Sequence, residues 1–239
     1  MRRLILLLLI LAALAPALPA ADRPNVLFII SDDLRPQLGC YGDTVVQTPN
    51  LDRFARSALR FDRAYCQIAI CSPSRNSFLS GLRPETSGLR GFGVTLREAV
   101  PDIVTLPQHF KNHGWHSAAF GKVFHVYAET GLGSEDDPES WSQPLDLPGN
   151  PVWGPEQEKV RQAQIEEDRA AGVVYQHSHD WPRGEAWDDP DVADEALRDG
   201  ETARQAAAFL RERAEKTGEP FFLAVGFYQP HLPFVAPRK

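Results

Sequence analysis

Two stretches of this chain are apolar almost from end to end: Asn25 to Ile30 (Asn-Val-Leu-Phe-Ile-Ile) and Pro220 to Tyr228 (Pro-Phe-Phe-Leu-Ala-Val-Gly-Phe-Tyr). Neither alternates polar with apolar residues, so neither suits a strand with one face in water. Both read as strands buried on both faces, the pattern of a parallel sheet. His116 to Phe120 reads as a third strand. Helical spacing fills the intervals. Thr48-Pro49-Asn50 opens a helix over Leu51 to Leu59, Pro73 begins one from Ser74 to Leu79, and Leu106 to Asn112 forms another. Glu201 to Lys216 is amphipathic, with Ala203, Ala206, Ala207 and Leu210 inward and Gly218 past its end. Strands alternating with helices predict an α/β fold, a mostly parallel sheet flanked by helices.

The first residues read as a leader. Arg2 and Arg3 precede an apolar run from Leu4 to Leu14, and small residues follow at Ala15, Ala17, Ala20 and Ala21. That pattern predicts a signal peptide over residues 1–21 and export to the periplasm or medium. The run is short for a membrane span, which takes about 20 residues, so no stable membrane insertion is expected after cleavage. Formal charge is −7, and loss of the two leader arginines takes it to −9. A chain this acidic has no general attraction for nucleic acid, and any anion it recognises must be held locally. Three cysteines are too few for a disulfide scaffold and lack zinc-site spacing; Cys40 and Cys66 could pair, leaving Cys71 odd. Between residues 126 and 200 strong periodicity dissolves, apart from a polar helical piece near Gln157 to Ala171. A long irregular segment of this kind reads as a functional loop or insertion.

Chemistry-bearing residues follow the strands: Asp32 and Asp33 after the first, Lys122 after His116 to Phe120, and His231 after the last. Open α/β sheets bind ligands at the carboxyl ends of their strands. Two carboxylates, an ammonium and an imidazole there could hold a cation and an anion together. Singly, each has a plainer reading: a turn or helix cap for the aspartates, a solvated lysine, a loop histidine ordered by Pro230 and Pro233. Four tryptophans in the irregular segment, Trp141, Trp153, Trp181 and Trp187, could stack on sugar rings or pin the loop to the body.

Cys71-Ser72-Pro73-Ser74-Arg75, continuing through Leu79-Ser80-Gly81-Leu82-Arg83-Pro84, resembles the signature of the type I sulfatases of the alkaline-phosphatase-like superfamily. Gly121-Lys122-Val123-Phe124-His125 is similar to their Gly-Lys-x-x-His element. Gln229-Pro230-His231-Leu232-Pro233-Phe234 and the block Ser31 to Gly42 look closest to iduronate-2-sulfatase-like members. The resemblance spans about Asn25 to Lys239. It implies the alkaline-phosphatase-like fold and a sulfuric ester hydrolase acting on a sulfated sugar, a glycosaminoglycan or related polysaccharide. It also implies that a maturation enzyme converts Cys71 to Cα-formylglycine. By the same resemblance one Ca²⁺ is held by Asp32, Asp33 and the oxygen at position 71. Lys122 contacts the sulfate, Arg75 and His125 bond the hydrated aldehyde, and His231 contacts the sulfate or protonates the departing oxygen.

In that scheme one hydroxyl of the aldehyde hydrate attacks sulfur, the alcohol leaves, and the second hydroxyl expels sulfate to restore the aldehyde. Family members carry an additional Asp-His or Asp-Asn calcium pair, a further lysine and a C-terminal subdomain, none of which occurs here. Ca²⁺ takes about 6–8 oxygens, more than the three positions supply. Residues 22–239 therefore read as the N-terminal part of a sulfatase catalytic domain, incomplete at its C-terminus, whose activity in isolation is open. The alternatives are a phosphonate or phosphate monoester hydrolase of the same superfamily and a non-catalytic binder of sulfated glycans.

Overall fold

The structure, a computed structural model, describes residues 23–125, 136–145, 147–175, 180–216 and 218–238. The leader expected over residues 1–21 lies outside the described residues. In chain order the elements are β1 (Val26–Ser31), α1 (Pro49–Ala55), α2 (Cys71–Ser80), α3 (Pro84–Ser87), α4 (Leu96–Ala99), α5 (Leu106–Asn112) and β2 (His116–Gly121). Then come α6 (Pro155–Ala170), β3 (Trp187–Asp188), α7 (Arg198–Ala214), β4 (Phe221–Phe227) and β5 (Phe234–Val235).

β1, β4 and β2 form a parallel sheet in the order β1-β4-β2. β4 is central, and six of its seven residues are buried, as its unbroken apolar run requires. One face of the sheet packs Phe222 and Ala224 of β4 and Ala119 of β2 against Leu79 of α2, Leu96 of α4 and the neighbouring Phe124 and Trp141. The other face packs Leu223 and Val225 of β4 and Ala118 and Phe120 of β2 against Ala206 and Phe209 of α7. Each of the Leu, Val and Phe side chains, when fully buried, contributes about 1.5–3 kcal/mol, and each alanine methyl roughly 0.8 kcal/mol. Thr105 starts α5 with a capping box, its hydroxyl accepting from the Gln108 N–H while the Gln108 side chain accepts from the Thr105 N–H.

β1 departs from expectation. Leu27 and Ile29 are 47% and 59% exposed, so the strand is not buried on both faces. Their register partners are Leu223 and Val225, on the face that α7 covers. α7 lies over β4 and β2, and β1 sits beyond its reach. Two helices also differ. α1 ends at Ala55 rather than Leu59 and buries no residue, so no packed face supports another turn. α2 begins two residues before Pro73, which makes Cys71 its first helical residue. Cys40, Cys66 and Cys71 are all free thiols, so the Cys40–Cys66 bridge is not made. No helix among the described residues is long and apolar enough to cross a membrane.

Candidate active site at the carboxyl edge of the sheet

Parallel pairing brings the ends of β1, β2 and β4 to one edge. The ladder runs on past the strands: Asp32 N–H bonds Phe227 O (3.1 Å) and Lys122 N–H bonds Gly226 O (2.8 Å). Gly121 has a φ of +69°, where side chains are strained. A Cβ on Gly226 would strike the Lys122 carbonyl, and one on Gly121 would strike the Gly226 carbonyl. Glycine at both places lets β2 and β4 close together and turns Lys122 towards β1.

There its ammonium meets Asp32. Lys122 Nζ lies 2.5 Å from Asp32 Oδ2, and Arg75 Nη2 lies 3.2 Å from Asp32 Oδ1. All three side chains are buried. Burial opposes ionisation of Asp32, yet Lys122 and then Arg75 outweigh it and hold the carboxyl below its usual range. Arg75 Nη1 donates to the carbonyls of Lys122 and of Val123 (3.0 Å). The guanidinium thus ties α2 to the end of β2, a role its position in the sequence does not disclose. Its Nε–H is buried with no acceptor among the described residues. Cys71 stands four residues before Arg75, one helical turn away on the same face of α2.

Cys71 is half-buried. Burial pushes its thiol pKa up, against the pull of Lys122; the nearby Asp32 raises it further, and the Ser72 N–H and Arg75 lower it. Arg75, one turn along the same helix face, reaches Asp32, so α2 brings position 71 to the end of the sheet where these charges meet. His125 belongs to the cluster as well. Burial first, then Lys122 and Arg75, pull its pKa down to about 3, so the imidazole is neutral at ordinary pH. Its ring packs against Phe92, centroids 5.0 Å apart. Asp33 turns away from Asp32 through a left-handed backbone conformation, φ +56°. Its exposed carboxylate lies 4.0 Å from His231 Nε2, and His231 Nδ1 is 2.6 Å from Leu232 O.

The edge of the sheet therefore gathers Asp32, Arg75, Lys122 and His125 as buried side chains, with half-buried Cys71 one turn from Arg75 and with Asp33 and His231 nearer the solvent. Two carboxylates at a strand end offer the hard oxygen donors that Ca²⁺ takes. The donor type fits such an ion, and the buried Arg75 Nε–H, which has no acceptor among the described residues, is a donor still open to an oxygen. The donor number falls short: among the described residues no three His, Cys, Asp or Glu side chains group to hold a metal. The tryptophans divide. Trp141 and Trp153 are buried, donating to Asp136 Oδ1 (3.0 Å) and Glu185 O (2.9 Å), and pin the irregular segment. Trp181 is half-buried and Trp187 is exposed.

Sequence reading missed Ser31, Asp199 and Tyr228. Lys122 Nζ sits 5.2 Å and the Arg198 guanidinium carbon 4.7 Å from the centroid of the Tyr228 ring. Asp199 accepts from the N–H groups of Tyr228 and Gln229. The only signal for Asp199 was an acid just ahead of a helix expected to start at Glu201. α7 in fact starts at Arg198.

A sequence model of the sulfatase family matches residues 24–239. The chain is 38% identical over 218 residues to iduronate 2-sulfatase of Homo sapiens, covering 91% of this chain and 37% of that protein. It is 34% identical over 230 residues to a sulfatase of Formosa agariphila, covering 91% of this chain and 41% of the relative. Among solved structures, Ps i-CgsB in complex with k-i-k-neocarrahexaose superposes with a TM-score of 0.62 at 22% identity, covering 88% of this chain and 46% of that one. The phosphonate monoester hydrolase of Agrobacterium radiobacter superposes with a TM-score of 0.55 at 23% identity, over 90% of this chain and 42% of that one. The chain thus spans less than half the length of each, and the superpositions show an alkaline-phosphatase-like α/β fold. A match that runs from residue 24 to residue 239 and takes in every strand end described above settles the family: the chain belongs to the sulfatases.

Proposed function

We propose that the protein hydrolyses sulfate esters of a sugar, an iduronate-2-sulfatase-like activity on a glycosaminoglycan or related polysaccharide. The observation that carries this is the placement of Cys71 at the start of α2, one turn before Arg75, whose buried Nε–H has no acceptor among the described residues and whose guanidinium reaches the Asp32–Lys122 pair. A hydrated aldehyde at position 71, made by a maturation enzyme, would supply the nucleophilic oxygen and a route to release sulfate without attack of water on sulfur. Asp32, Asp33 and that oxygen would hold Ca²⁺, whose charge offsets that of the sulfate.

Each remaining role belongs to a residue of the chain. Lys122 donates to a non-bridging sulfate oxygen from a site shut off from water, where such a bond is strong. Arg75 fixes α2 against β2 and offers its Nε–H to the oxygen at position 71. His125, neutral at ordinary pH, can accept a proton from that oxygen. His231, on the exposed rim beside Asp33, gives a proton to the sugar oxygen as it departs. Residues 1–21 serve as an export leader and residues 22–239 as sulfatase catalytic domain, with 126–200 as the substrate-side insertion; the protein works in the periplasm or outside the cell.

The test is peptide mass analysis across Ser72 in the native host, paired with hydrolysis assays. An aldehyde at position 71 and release of sulfate from a sulfated uronic acid disaccharide are expected. Phosphate or phosphonate esters cleaved faster than sulfate esters would favour a phosphorus hydrolase. Saturable glycan binding with an unmodified thiol would favour a non-catalytic binder.

A further inference from the structure

The turn that carries His231 is fastened by a carboxylate with no part in the chemistry above. Asp199, the second residue of α7, accepts the N–H of Tyr228 at 2.9 Å and the N–H of Gln229 at 2.8 Å. On the other side of the same segment Ser31 Oγ donates to Gln229 O at 2.6 Å. Beyond these anchors the turn closes on itself: His231 N–H bonds Tyr228 O (2.9 Å) and Gln229 Nε2 donates to Pro233 O (3.0 Å). His231 is thus carried by a turn held on its near side through residues 228 and 229 and on its far side by the pairing of β5 with β3, where the Phe234 N–H bonds Ala186 O (2.8 Å). Asp199 does not cap its own helix; it reaches across to the neighbouring loop. Hydrogen bonds to a charged acceptor are about twice as strong as neutral ones, and two of them fix a direction as well as a distance.

We propose that Asp199 is a positioning residue: its paired bonds to the Tyr228 and Gln229 N–H groups set where His231 stands relative to Lys122 and Asp33, and so govern proton delivery to the leaving oxygen. This rests on the sulfatase reading of the site. In that step an oxygen of the aldehyde hydrate at position 71 would bond to sulfur as the bond from sulfur to the bridging oxygen breaks. The electron pair of the broken bond passes to the bridging oxygen, which takes its proton from His231 Nε2. A sugar alkoxide is a poor leaving group and needs the proton. A nitrophenolate leaves without it. Displacing His231 must then harm the two kinds of ester unequally, and a merely structural defect would harm them alike.

The experiment compares the protein from its own gene, matured to the aldehyde, with Asp199→Ala and Asp199→Asn. The substrates are a sulfated uronic acid disaccharide and para-nitrophenyl sulfate, with rates normalised to aldehyde content. Loss of a positioned general acid costs about 10²-fold or more. Asp199→Ala is expected to lower kcat on the sugar ester about 10²-fold, with KM within about threefold and kcat on the aryl ester within about fivefold. Asp199→Asn keeps the shape and one acceptor oxygen, serves as the test should the alanine variant fail to fold, and is expected to show the same inequality at smaller size. Equal losses on both esters, or none on either, overturn the proposal. Wild-type protein that carries the aldehyde and cleaves neither ester refutes the sulfatase reading, and this role falls with it.

Discussion

Asp32→Asn is the perturbation whose cost can be worked most directly from the geometry. The wild-type carboxylate holds Lys122 Nζ at 2.5 Å and Arg75 Nη2 at 3.2 Å, and all three residues are less than a tenth exposed. Asparagine keeps the shape and one oxygen but removes the charge. Two buried cations then face each other with no anion between them. Removing one partner of a buried ion pair costs about 3–5 kcal/mol, chiefly because the other charge stays buried. Arg75 would retain the Lys122 and Val123 carbonyls, and Lys122 would retain the face of Tyr228, so the second cation does not double the loss. The expected cost is about 4 kcal/mol, and at roughly 2–4 °C per kcal/mol for a domain of this size Tm falls by about 8–16 °C. Urea unfolding in the presence of a chelator measures it on the charges of the chain itself. Adding Lys122→Met to Asp32→Asn should recover more than about 1 kcal/mol, because the stranded ammonium is gone. A cost for Asp32→Asn below about 1 kcal/mol, or strict additivity of the two changes, would refute the view that this pair is a tightly coupled buried unit.

Further outcomes follow from the same geometry. Gly226→Ala drives a Cβ into the Lys122 backbone, which has no flexible end to yield, and should destabilise by about 3 kcal/mol or more in urea unfolding. The pKa of His125 is about 3 in the folded state, so the unfolded chain takes up a proton near pH 6.5 that the folded chain refuses. Stability should therefore fall as pH drops from about 6.5 towards 3, by up to about 1.4 kcal/mol per pH unit, and His125→Gln should flatten that slope in urea midpoints taken across pH. The depressed pKa of Asp32 adds stability that is present above about pH 4 and lost only as pH falls further, through its folded value. Cys71→Ala, which leaves no thiol to convert to the aldehyde, should abolish release of sulfate from the sugar ester while moving the unfolding free energy by less than about 1.5 kcal/mol, since the side chain is small and only half-buried.

The sheet was legible because its central strand must be hydrophobic on both faces, and β4 is. The same reading failed for β1, because an apolar run records what a strand tolerates and not whether a helix reaches it. Leu27 and Ile29 look like core in sequence and lie outside the span of α7. That Asp32, Lys122 and His231 come to one edge was legible from the ends of strands, since parallel pairing brings such ends together. Their division of labour could not. The hold of Arg75 on two backbone carbonyls depends on how α2 crosses β2, and the outward turn of Asp33 depends on a left-handed backbone that no residue type announces. Asp199 stayed hidden because its partners are main-chain N–H groups, which every residue but proline possesses.

The closed contact between Lys122 and Asp32 has an outcome for ions of opposite sign. An anion that claims the ammonium must compete with the carboxylate for it, and a cation that claims the carboxylate sets the ammonium loose. Affinity for one is then raised by the other, by equal factors in both directions, as thermodynamic linkage demands. Titrating sulfate at rising calcium, and calcium at rising sulfate, would read that reciprocity without any turnover.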